Sequence, residues 1–515
     1  MKFSRKLEGL IVAILCLISA LVGLYVGYTS ATSGVYPAGV TYTVYKEGDV
    51  CFVKNAYGAI VYSGDPNTTI NNALSRGNCH IFIKAGTYDV NLVVKNNTKI
   101  EGEYGTILRP KDKTMTVIMS EGAYNWIKYG TEKNNEKIEI RNLEIDGSGQ
   151  TGSYVYGIWF FNVTQSVIEN VRIKSTAWEN IYLWQCERVF LRNLYLEKAG
   201  REAIAIYFST EVSVANSYII DANWQGICID NSNRVSCSNN MIRNSKSGYV
   251  LTSSIHCSIT GGTIFNSGGD GLLITTTYEG YPQPHHNVIT GITILESGLL
   301  KDPQWGINGI TLRYGYSNIV SGVTVLRSRG HGLHAWNESH LIVEASSFMD
   351  NSIEYAGTYN GIQLDNTWNS MLINVVAYDT RPQQDKTQKY GAATGGTSDY
   401  NIIIGMFDGN RNAEIALVGT HNVYIKSDHF LMDFGTIDCT RIKVAQKGIN
   451  VPVSQGATSI TITLPIAEPD ANYGVLVMPN WSTTVYIVTK TTTSFTVGFG
   501  TSAPSNAKID WFLYR

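Results

Sequence analysis

Two glutamates occupy positions at which acid–base chemistry on a sugar would be plausible. Glu179 and Glu202 each stand directly before a short apolar stretch, 23 residues apart. If one structural repeat separates them, their carboxyl groups would lie about 5 Å apart, as in retaining glycosidases, and repulsion would raise the pKa of one of them. Two solvated glutamates paired with Arg201 are the alternative, which we favour because charged turn residues are usually only solvated.

Aromatic residues gather in the apolar stretches beside these glutamates. Side chains alternate across a strand, so every second residue of each stretch is predicted to point outward. On three consecutive stretches the outward residues include Trp159, Phe161, Tyr182, Trp184 and Tyr207. Exposed flat rings fit the C–H faces of sugars, and patches of this kind usually have a partner. Cover by N-terminal loops or by a neighbouring subunit is the alternative interpretation.

The same outward columns continue with polar residues further along the chain. Asp230, Arg313, His334 and Trp336 hold the equivalent positions of later stretches. Stacked strands lie about 4.8 Å apart, so these residues would extend one surface with the aromatics. We therefore count them as candidate substrate-binding residues.

A repeat of 22–23 residues must position all of these side chains. Nine stretches of the form small–apolar–variable–apolar recur between Gly157 and Gly361, and two insertions interrupt the period. Each unit carries about three short strands and no amphipathic helix, which indicates a parallel β-helix of roughly 12 coils. The inward column of this core is predicted to contain these residues: Ile158, Ile181, Ile204, Ile227 and Ile310.

The segment before the repeats carries a recognisable opening. It begins with "TTINNALSRG" at 68–77, which predicts a short helix, and continues with "CHIFIKAGTYDV" and "NTKIEGEYGTILRP". Over roughly residues 55–440 the chain resembles the right-handed parallel β-helix proteins of the pectate-lyase-like superfamily, which include phage tailspikes. The resemblance implies an all-β solenoid, and many activities share that fold.

Polygalacturonases of this superfamily offer a closer comparison of motifs. The segments "GGDG" (268–271), "INGI" (307–310) and "RGHG" (329–332) occupy successive repeats at the register of their catalytic motifs. By resemblance, Asp270 and His331 would be catalytic. The middle motif departs, because Ile307 and Asn308 replace its two aspartates and an amide cannot deliver a proton as a carboxylic acid does. We therefore expect no hydrolysis by that mechanism, and expect His331 to be a turn or ligand-contact residue.

The two ends of the chain differ from the repeats. Lys2, Arg5 and Lys6 precede the uncharged apolar run 10–28, which predicts a single-pass signal anchor over 1–34 and a cell-surface location, or secretion after cleavage at Ala31. Residues 35–95 are predicted to form an N-terminal cap and 96–445 the β-helix. Alternating strands over 446–515 predict a small antiparallel β-sandwich. Its likeness to modules that end tail fibres implies a homotrimer.

Composition narrows the partners. The net charge of −2 among 515 residues gives no reason to expect nucleic acid. Five Asn-x-Ser/Thr sequons permit glycosylation, and Cys51 and Cys79 are spaced so that they could form a disulfide.

No cofactor is evident and no Cys/His spacing indicates a zinc site. Calcium remains open for lyase chemistry, although Asp230, Asp270 and Asp365 are spread over several repeats. His285 and His286, in the insertion 276–287, are expected to be exposed and without catalytic duty.

The sequence therefore predicts a cell-surface β-helix protein that binds polysaccharide along the outer face of its first strands, with adhesion as one such role. A carbohydrate-active enzyme, either glycosidase or polysaccharide lyase, is the first alternative. A structural surface or filament protein without glycan activity is the second.

Overall fold

A computed structural model describes residues 39–276, 282–300, 306–419, 421–426 and 444–514. The predicted anchor at 1–34 lies outside these residues. None of the helices in the described ranges is both long and apolar enough to span a membrane. The described residues between 79 and 426 form a parallel β-helix in which each coil pairs with the next.

The first strand of each coil belongs to one sheet of 13 parallel strands, here called the first-strand sheet. Its order in space is its order in sequence. The strands are Leu92–Val94, Ile118–Ser120, Ile158–Phe161, Ile181–Trp184, Ile204–Tyr207, Gln225–Asp230, Ser247–Thr252, Leu272–Thr275, Ile310–Arg313, Leu333–Trp336, Ile362–Asp365, Tyr390–Gly395 and Ala413–Ala416. The register pairs Ile158 with Ile181 and Ile181 with Ile204, so the repeat predicted from sequence is one coil.

The other faces of the solenoid form a second system of 27 strands, which the N-terminal hairpins join. They are Tyr42–Glu47, Val50–Asn55, Ile60–Gly64, Cys79–Ile83, Gly86–Asp89, Thr98–Gly102, Thr106–Arg109, Asn135–Glu136, Ile138–Asp146, Val163–Lys174, Glu187–Arg192, Tyr195–Glu197, Ser213–Ala215, Tyr218–Ile220, Ser236–Ser238, Met241–Arg243, Ser258–Thr260, Thr263–Phe265, Val288–Thr290, Thr293–Leu295, Ile319–Ser321, Thr324–Leu326, Ile342–Glu344, Ser347–Met349, Met371–Tyr378, Ile402–Met406 and Val423–Lys426. One short 3-10 turn, Gln383–Asp385, lies between coils.

The core is a column of aliphatic side chains inside the coils. All five isoleucines predicted for the inward column are fully buried, which confirms the alternation across the first strand. The predicted opening helix is present as Pro66–Leu74. The Asp65 carboxylate accepts a hydrogen bond from the Thr68 N–H at 3.0 Å, and Ile70 and Leu74 seal the end of the core.

Asparagine makes the corners of the coils. Asn142, Asn170, Asn193, Asn216 and Asn239 repeat at one corner with φ between 51° and 57°. Asparagine tolerates this left-handed backbone better than other residues with a β-carbon. Stacked corner side chains also bond to each other, as when the Asn170 amide donates to Asn142 Oδ1 at 3.0 Å. The Asn-rich composition therefore maintains the turns.

Residues 444–514 form two three-stranded antiparallel sheets. One holds Val444–Pro452, Gly474–Pro479 and Lys508–Tyr514, and the other holds Ser459–Thr463, Val485–Lys490 and Ser494–Phe499. Side chains from both sheets, among them Phe495 and Trp511, are buried in one common cluster.

The six described cysteines are buried free thiols. Cys51 and Cys79 therefore carry no disulfide here, and the bridge proposed from their spacing is wrong. Both thiols pack among apolar side chains of the N-terminal cap, where burial raises the pKa of Cys51 to about 11.

Candidate functional site

The outer face of the first-strand sheet changes character along its length. We call the strands Ile158–Phe161, Ile181–Trp184 and Ile204–Tyr207 the covered half. We call the strands Ile310–Arg313, Leu333–Trp336 and Ile362–Asp365 the open half. The covered half presents aromatic side chains outward, whereas the open half presents partly exposed polar side chains.

A helix that the sequence reasoning missed lies over the covered half. It spans Glu121–Tyr129, with the Ser120 hydroxyl accepting from the Ala123 N–H at its start and Gly130 in the left-handed region at its end. Gly122 allows the close approach, because a β-carbon there would lie 2.7 Å from the Phe161 carbonyl oxygen. Trp126 then stacks on Phe161 with ring centroids 5.2 Å apart. Ser120 at the N-cap and Gly130 at the C-terminal end are the sequence signals that could have revealed this helix.

This cover overturns the predicted exposed aromatic patch. Trp159, Phe161 and Tyr182 are 4%, 1% and 6% exposed, so they form a second apolar core outside the sheet. The alternative that these rings are covered is right, but the cover is a helix within the predicted β-helix region and not an N-terminal loop. Trp184 and Tyr207 stay half-buried at the border, where Trp184 stacks on the exposed Phe208. Three of the five rings of the predicted aromatic patch are therefore core.

Glu179 and Glu202 lie beside this second core. They are only 1% and 2% exposed, so the expectation that both are solvated is wrong. Burial, followed by the adjacent Glu202 carboxyl, raises the pKa of Glu179 to about 9. At neutral pH Glu179 therefore keeps its proton, because two buried like charges side by side would be too costly.

The predicted pairing with Arg201 is confirmed. Its guanidinium lies 3.5 Å from Glu179 and 3.3 Å from Glu202. Trp178 and Trp224 hold it between their rings, with centroids 4.6 Å and 4.3 Å away. Arg201 thus closes the acid pair off from solvent, and a sugar could reach the carboxyls only if Arg201 moved.

The open half is built around an imidazole–carboxylate pair. His334 Nε2 lies 3.0 Å from Asp365 Oδ2, and the two side chains are 20% and 33% exposed. The Gln363 amide donates to the other carboxylate oxygen of Asp365 at 2.6 Å. Hydrogen bonds from His334 and Gln363 outweigh partial burial and lower the pKa of Asp365. Asp365 is therefore ionised and can hold His334 in one tautomer.

Arg313 and Trp336 flank this pair on the neighbouring strands. The Arg313 guanidinium lies 5.8 Å from the centre of the Trp336 ring, and the two residues are partners in the sheet register. Both are partly exposed. The open half therefore offers a cation, an aromatic face and several hydrogen-bonding groups within three adjacent strands.

Asp270, Asn308 and His331 occupy the same turn position on successive coils, and hydrogen bonds link them. These bonds explain why the three segments share the register of the polygalacturonase motifs. The Asn308 N–H donates to Asp270 at 2.8 Å, the His331 N–H donates to Asn308 Oδ1 at 2.8 Å, and the Asn360 N–H donates to His331 Nδ1 at 3.0 Å. Asn308 also donates to Thr311 at 3.0 Å, so it needs an amide, which both accepts and donates. Each of these side chains joins one coil to the next.

In this arrangement Asp270 and His331 both link neighbouring coils and therefore have a structural role. Asp270 is 1% exposed and lies directly against Gly306, and burial raises its pKa. Burial, with a smaller effect of the nearby His334, lowers the pKa of His331 to about 3. His331 is therefore neutral and accepts a backbone hydrogen bond, as expected for a turn residue.

Asp230 lies between the two halves. Burial raises its pKa to about 6, although its carboxylate accepts a hydrogen bond from the Asn231 amide at 2.9 Å. Within the described ranges Asp230, Asp270 and Asp365 do not come together as one cluster of metal-ligating groups. The aspartates thus give no support to a calcium site.

Sequence reasoning named most of the open half but missed two of its members. Asp365 and Gln363 complete the network around His334, yet they were not among the candidate binding residues. Their signal was present, because they continue the same outward columns as Trp336 and His334. The acid pair was found, but its burial was not.

Comparisons with known proteins agree on the architecture. The family described as "Right handed beta helix region" matches residues 80–264, 156–299 and 225–376, which together exceed half of the chain. No curated protein matches the sequence.

Solved structures of other proteins share the fold. The Azotobacter vinelandii mannuronan C-5 epimerase AlgE6 A-module aligns with a TM-score of 0.52 at 13% identity, over 71% of this chain and 96% of that one. Bacteriophage CBA120 tailspike protein 3 aligns with a TM-score of 0.53 at 12% identity, over 71% of this chain and 59% of that one. Pre-mature bacteriophage phi29 gene product 12 aligns with a TM-score of 0.52 at 15% identity, over 71% of this chain and 56% of that one. The chain therefore belongs to the family of right-handed β-helix proteins.

Proposed function

We propose that this protein binds polysaccharide on the open half of its first-strand sheet. The observation that carries the proposal is the partly exposed row formed by Arg313, His334, Trp336, Gln363 and Asp365 on adjacent strands. Binding sites for sugars combine an apolar face with a few oriented polar groups. Here Trp336 supplies the face, and hydrogen bonds hold His334, Gln363 and Asp365 in place.

Burial of the covered half also favours the open half as the binding surface. Phe161 is packed under the helix Glu121–Tyr129, Trp159 and Tyr182 are buried in the same cluster, and Arg201 closes the acid pair. A glycan chain therefore meets the open half first. Among proteins of the same fold, the mannuronan epimerase acts, by its name, on a polysaccharide, which supports the proposal at the level of substrate class.

A second candidate function is a polysaccharide lyase, and the His334–Asp365 pair favours it. An imidazole oriented by a carboxylate is a competent general base. On a uronate, His334 would remove the proton next to the carboxylate, and Arg313 would bind that carboxylate. The electron pair then forms a C=C bond as the C–O bond to the neighbouring sugar breaks, and His334 returns the proton to the leaving oxygen. A glycosidase is less well supported, because Glu179, Glu202 and Asp270 are all buried.

The test uses the full chain and a panel of neutral and uronate polysaccharides. Binding is measured by calorimetry, unsaturated ends by ultraviolet absorbance, and reducing ends by a colorimetric assay. We expect Trp336→Ala to abolish binding and the matched variant Trp184→Ala, in the covered half, to keep it. Product that disappears in His334→Gln while binding persists would establish the lyase. The reverse pattern of the two tryptophan variants, or no binding at all, would refute the proposal and favour a structural role.

The proposal also places the protein outside the cell, held by the segment 1–34 or released from it. Its support is the basic residues Lys2, Arg5 and Lys6 before an uncharged apolar run. Labelling of intact cells with an antibody against the β-helix tests this location. We further propose that the protein forms a homotrimer. The mass of the purified protein, measured by light scattering, tests this oligomeric state.

A further inference from the structure

Three of the nine histidines of the chain meet at one corner of the β-helix, outside the strands of the open half. These are His256, His285 and His286, and one ring nitrogen from each lies within 4.8 Å of the others. The Nδ1 atoms of His285 and His286 are 2.8 Å apart. His256 and His286 are exposed, and His285 is half-buried.

The solenoid itself brings the three side chains together. Parallel bridges align Ile255 with His285 and His285 with Tyr316, so the histidines come from neighbouring coils. The His256 N–H donates to the His285 carbonyl at 3.1 Å, and the His286 N–H donates to the Tyr316 carbonyl at 3.3 Å. His256 and His286 both have left-handed backbone, with φ of 53° and 55°, and occupy the same corner position one coil apart.

The ring of His285 is fixed by stacking on a tyrosine of the next coil. His285 stacks on Tyr316 with ring centroids 4.5 Å apart and an interplanar angle of 21°. The rings of His256 and His286 have more freedom, because they lie 5.3 Å apart at the surface. One imidazole is therefore fixed and two can adjust around a common point.

The spacing fits a metal ion. Zinc binds imidazole nitrogen at 2.0–2.1 Å in tetrahedral geometry, which places ligand nitrogens about 3.3 Å from one another. The Nδ1 atoms of His285 and His286 lie 2.8 Å apart and all three nitrogens lie within 4.8 Å of one another, so small rotations of the rings would reach that spacing. Three histidines would leave a fourth position for water or another ligand. Imidazole is also a preferred ligand of copper and nickel.

We propose that His256, His285 and His286 bind one divalent transition-metal ion, with zinc as its simplest representative. The ion joins the corners of two adjacent coils. The site is independent of the proposed glycan surface, because none of its ligands belongs to the open half. Its test can therefore fail or succeed without affecting the proposed function.

The experiment titrates Zn²⁺ into the full chain, purified without a histidine tag and stripped of metal by a chelator. Competition with a chromogenic chelator gives stoichiometry and affinity, and Co²⁺ loading reports tetrahedral geometry through its visible absorption bands. His256→Asn and His286→Asn keep a residue that tolerates the left-handed corner, and His285→Phe keeps the ring on Tyr316. His340→Asn is the matched control, because His340 is an exposed histidine with φ of 54° at the same corner two coils further on.

We expect one equivalent of Zn²⁺, a tetrahedral Co²⁺ spectrum, and a rise in Tm on loading. Each of the three variants should weaken binding by about 100-fold or more, since loss of even outer partners of a metal site costs 10- to 100-fold. Circular dichroism of each variant verifies that it is folded. Binding that is absent in the wild type, that survives any of the three substitutions, or that falls equally in His340→Asn would overturn the site.

Discussion

The covered and open halves use the same backbone for opposite purposes. In both, the residue at each outward position pairs in register with its equivalent one coil away. Aromatic side chains in the covered half attract a helix and become core, with Trp159 only 4% exposed. Polar side chains in the open half bond to one another and stay partly exposed. Outward position alone therefore does not make a surface, because what packs over it depends on residue type.

The largest difference between the halves should be in stability. Phe161→Ala removes a buried ring that stacks on Trp126, and we expect a loss of about 3–5 kcal/mol. Trp336→Ala, in the open half, should cost about 1 kcal/mol, because Trp336 is already partly exposed. Thermal unfolding followed by circular dichroism measures both. Equal losses would mean that the cover over the aromatics is not stably packed.

The acid pair gives a second, smaller test of the covered half. Glu179→Gln mimics the protonated acid and should leave stability unchanged or raise it. Glu179→Gln with Glu202→Gln leaves Arg201 without a carboxylate, and we expect a loss of about 2–3 kcal/mol. Thermal unfolding at pH 7 distinguishes the two variants. If the double variant were as stable as the single one, Arg201 would not depend on the pair.

Alkaline pH should weaken the covered half through Glu179. Its pKa is raised to about 9 in the folded protein, against an ordinary value of 4.5. Its stabilising contribution is therefore full below pH 4.5 and is lost as the pH rises toward 9. Between pH 5 and pH 9 the wild type should lose several degrees of Tm relative to Glu179→Gln. Parallel Tm profiles for the two proteins would show that Glu179 is already ionised at neutral pH.

The repeat and its core were predictable because they depend on local alternation. A column such as Ile158, Ile181 and Ile204 follows from the period alone, since each residue needs only its equivalents above and below. The cover helix was not predictable in this way. It lies outside the periodic units, and its contact with Phe161 joins segments 35 residues apart in sequence that no repeat relates. Trp159 and Tyr182 pack against Tyr156 instead, and the acid pair is buried beside Arg201, so these contacts too lie outside the inward column that the period predicts.

The histidine corner shows the same limit. His285 and His286 follow an insertion, so His256 lies 30 residues before His286 instead of the usual 22–23. The spacing resembles no metal motif, and only the register of the coils places the three rings together. Asn308 is the opposite case. Its departure from the polygalacturonase pattern was visible in the sequence, and its bonds to His331 and Thr311 supply the reason.

Acid pH should weaken the open half through His331, in contrast to the covered half. The pKa of His331 is about 3 in the folded protein and about 6.5 in the unfolded chain. Its contribution is therefore full above pH 6.5 and is lost as the pH falls toward 3, by about 2 kcal/mol at pH 5. His331→Asn keeps an acceptor for the Asn360 N–H but cannot take up a proton.

We therefore expect His331→Asn to gain Tm relative to the wild type as the pH falls from 7 to 5, whatever their difference at pH 7. His340→Asn, at an exposed histidine, should follow the wild type throughout. If His331→Asn also followed the wild type, the pKa of His331 in the folded protein would be the ordinary value of about 6.5, and the ring would take up a proton between pH 7 and pH 5. It could then act as a charged group toward a ligand, and the turn interpretation of the "RGHG" segment would have to be abandoned. A difference confined to acid pH instead fixes His331 as a neutral link between coils, beside His334 as the residue that faces the glycan.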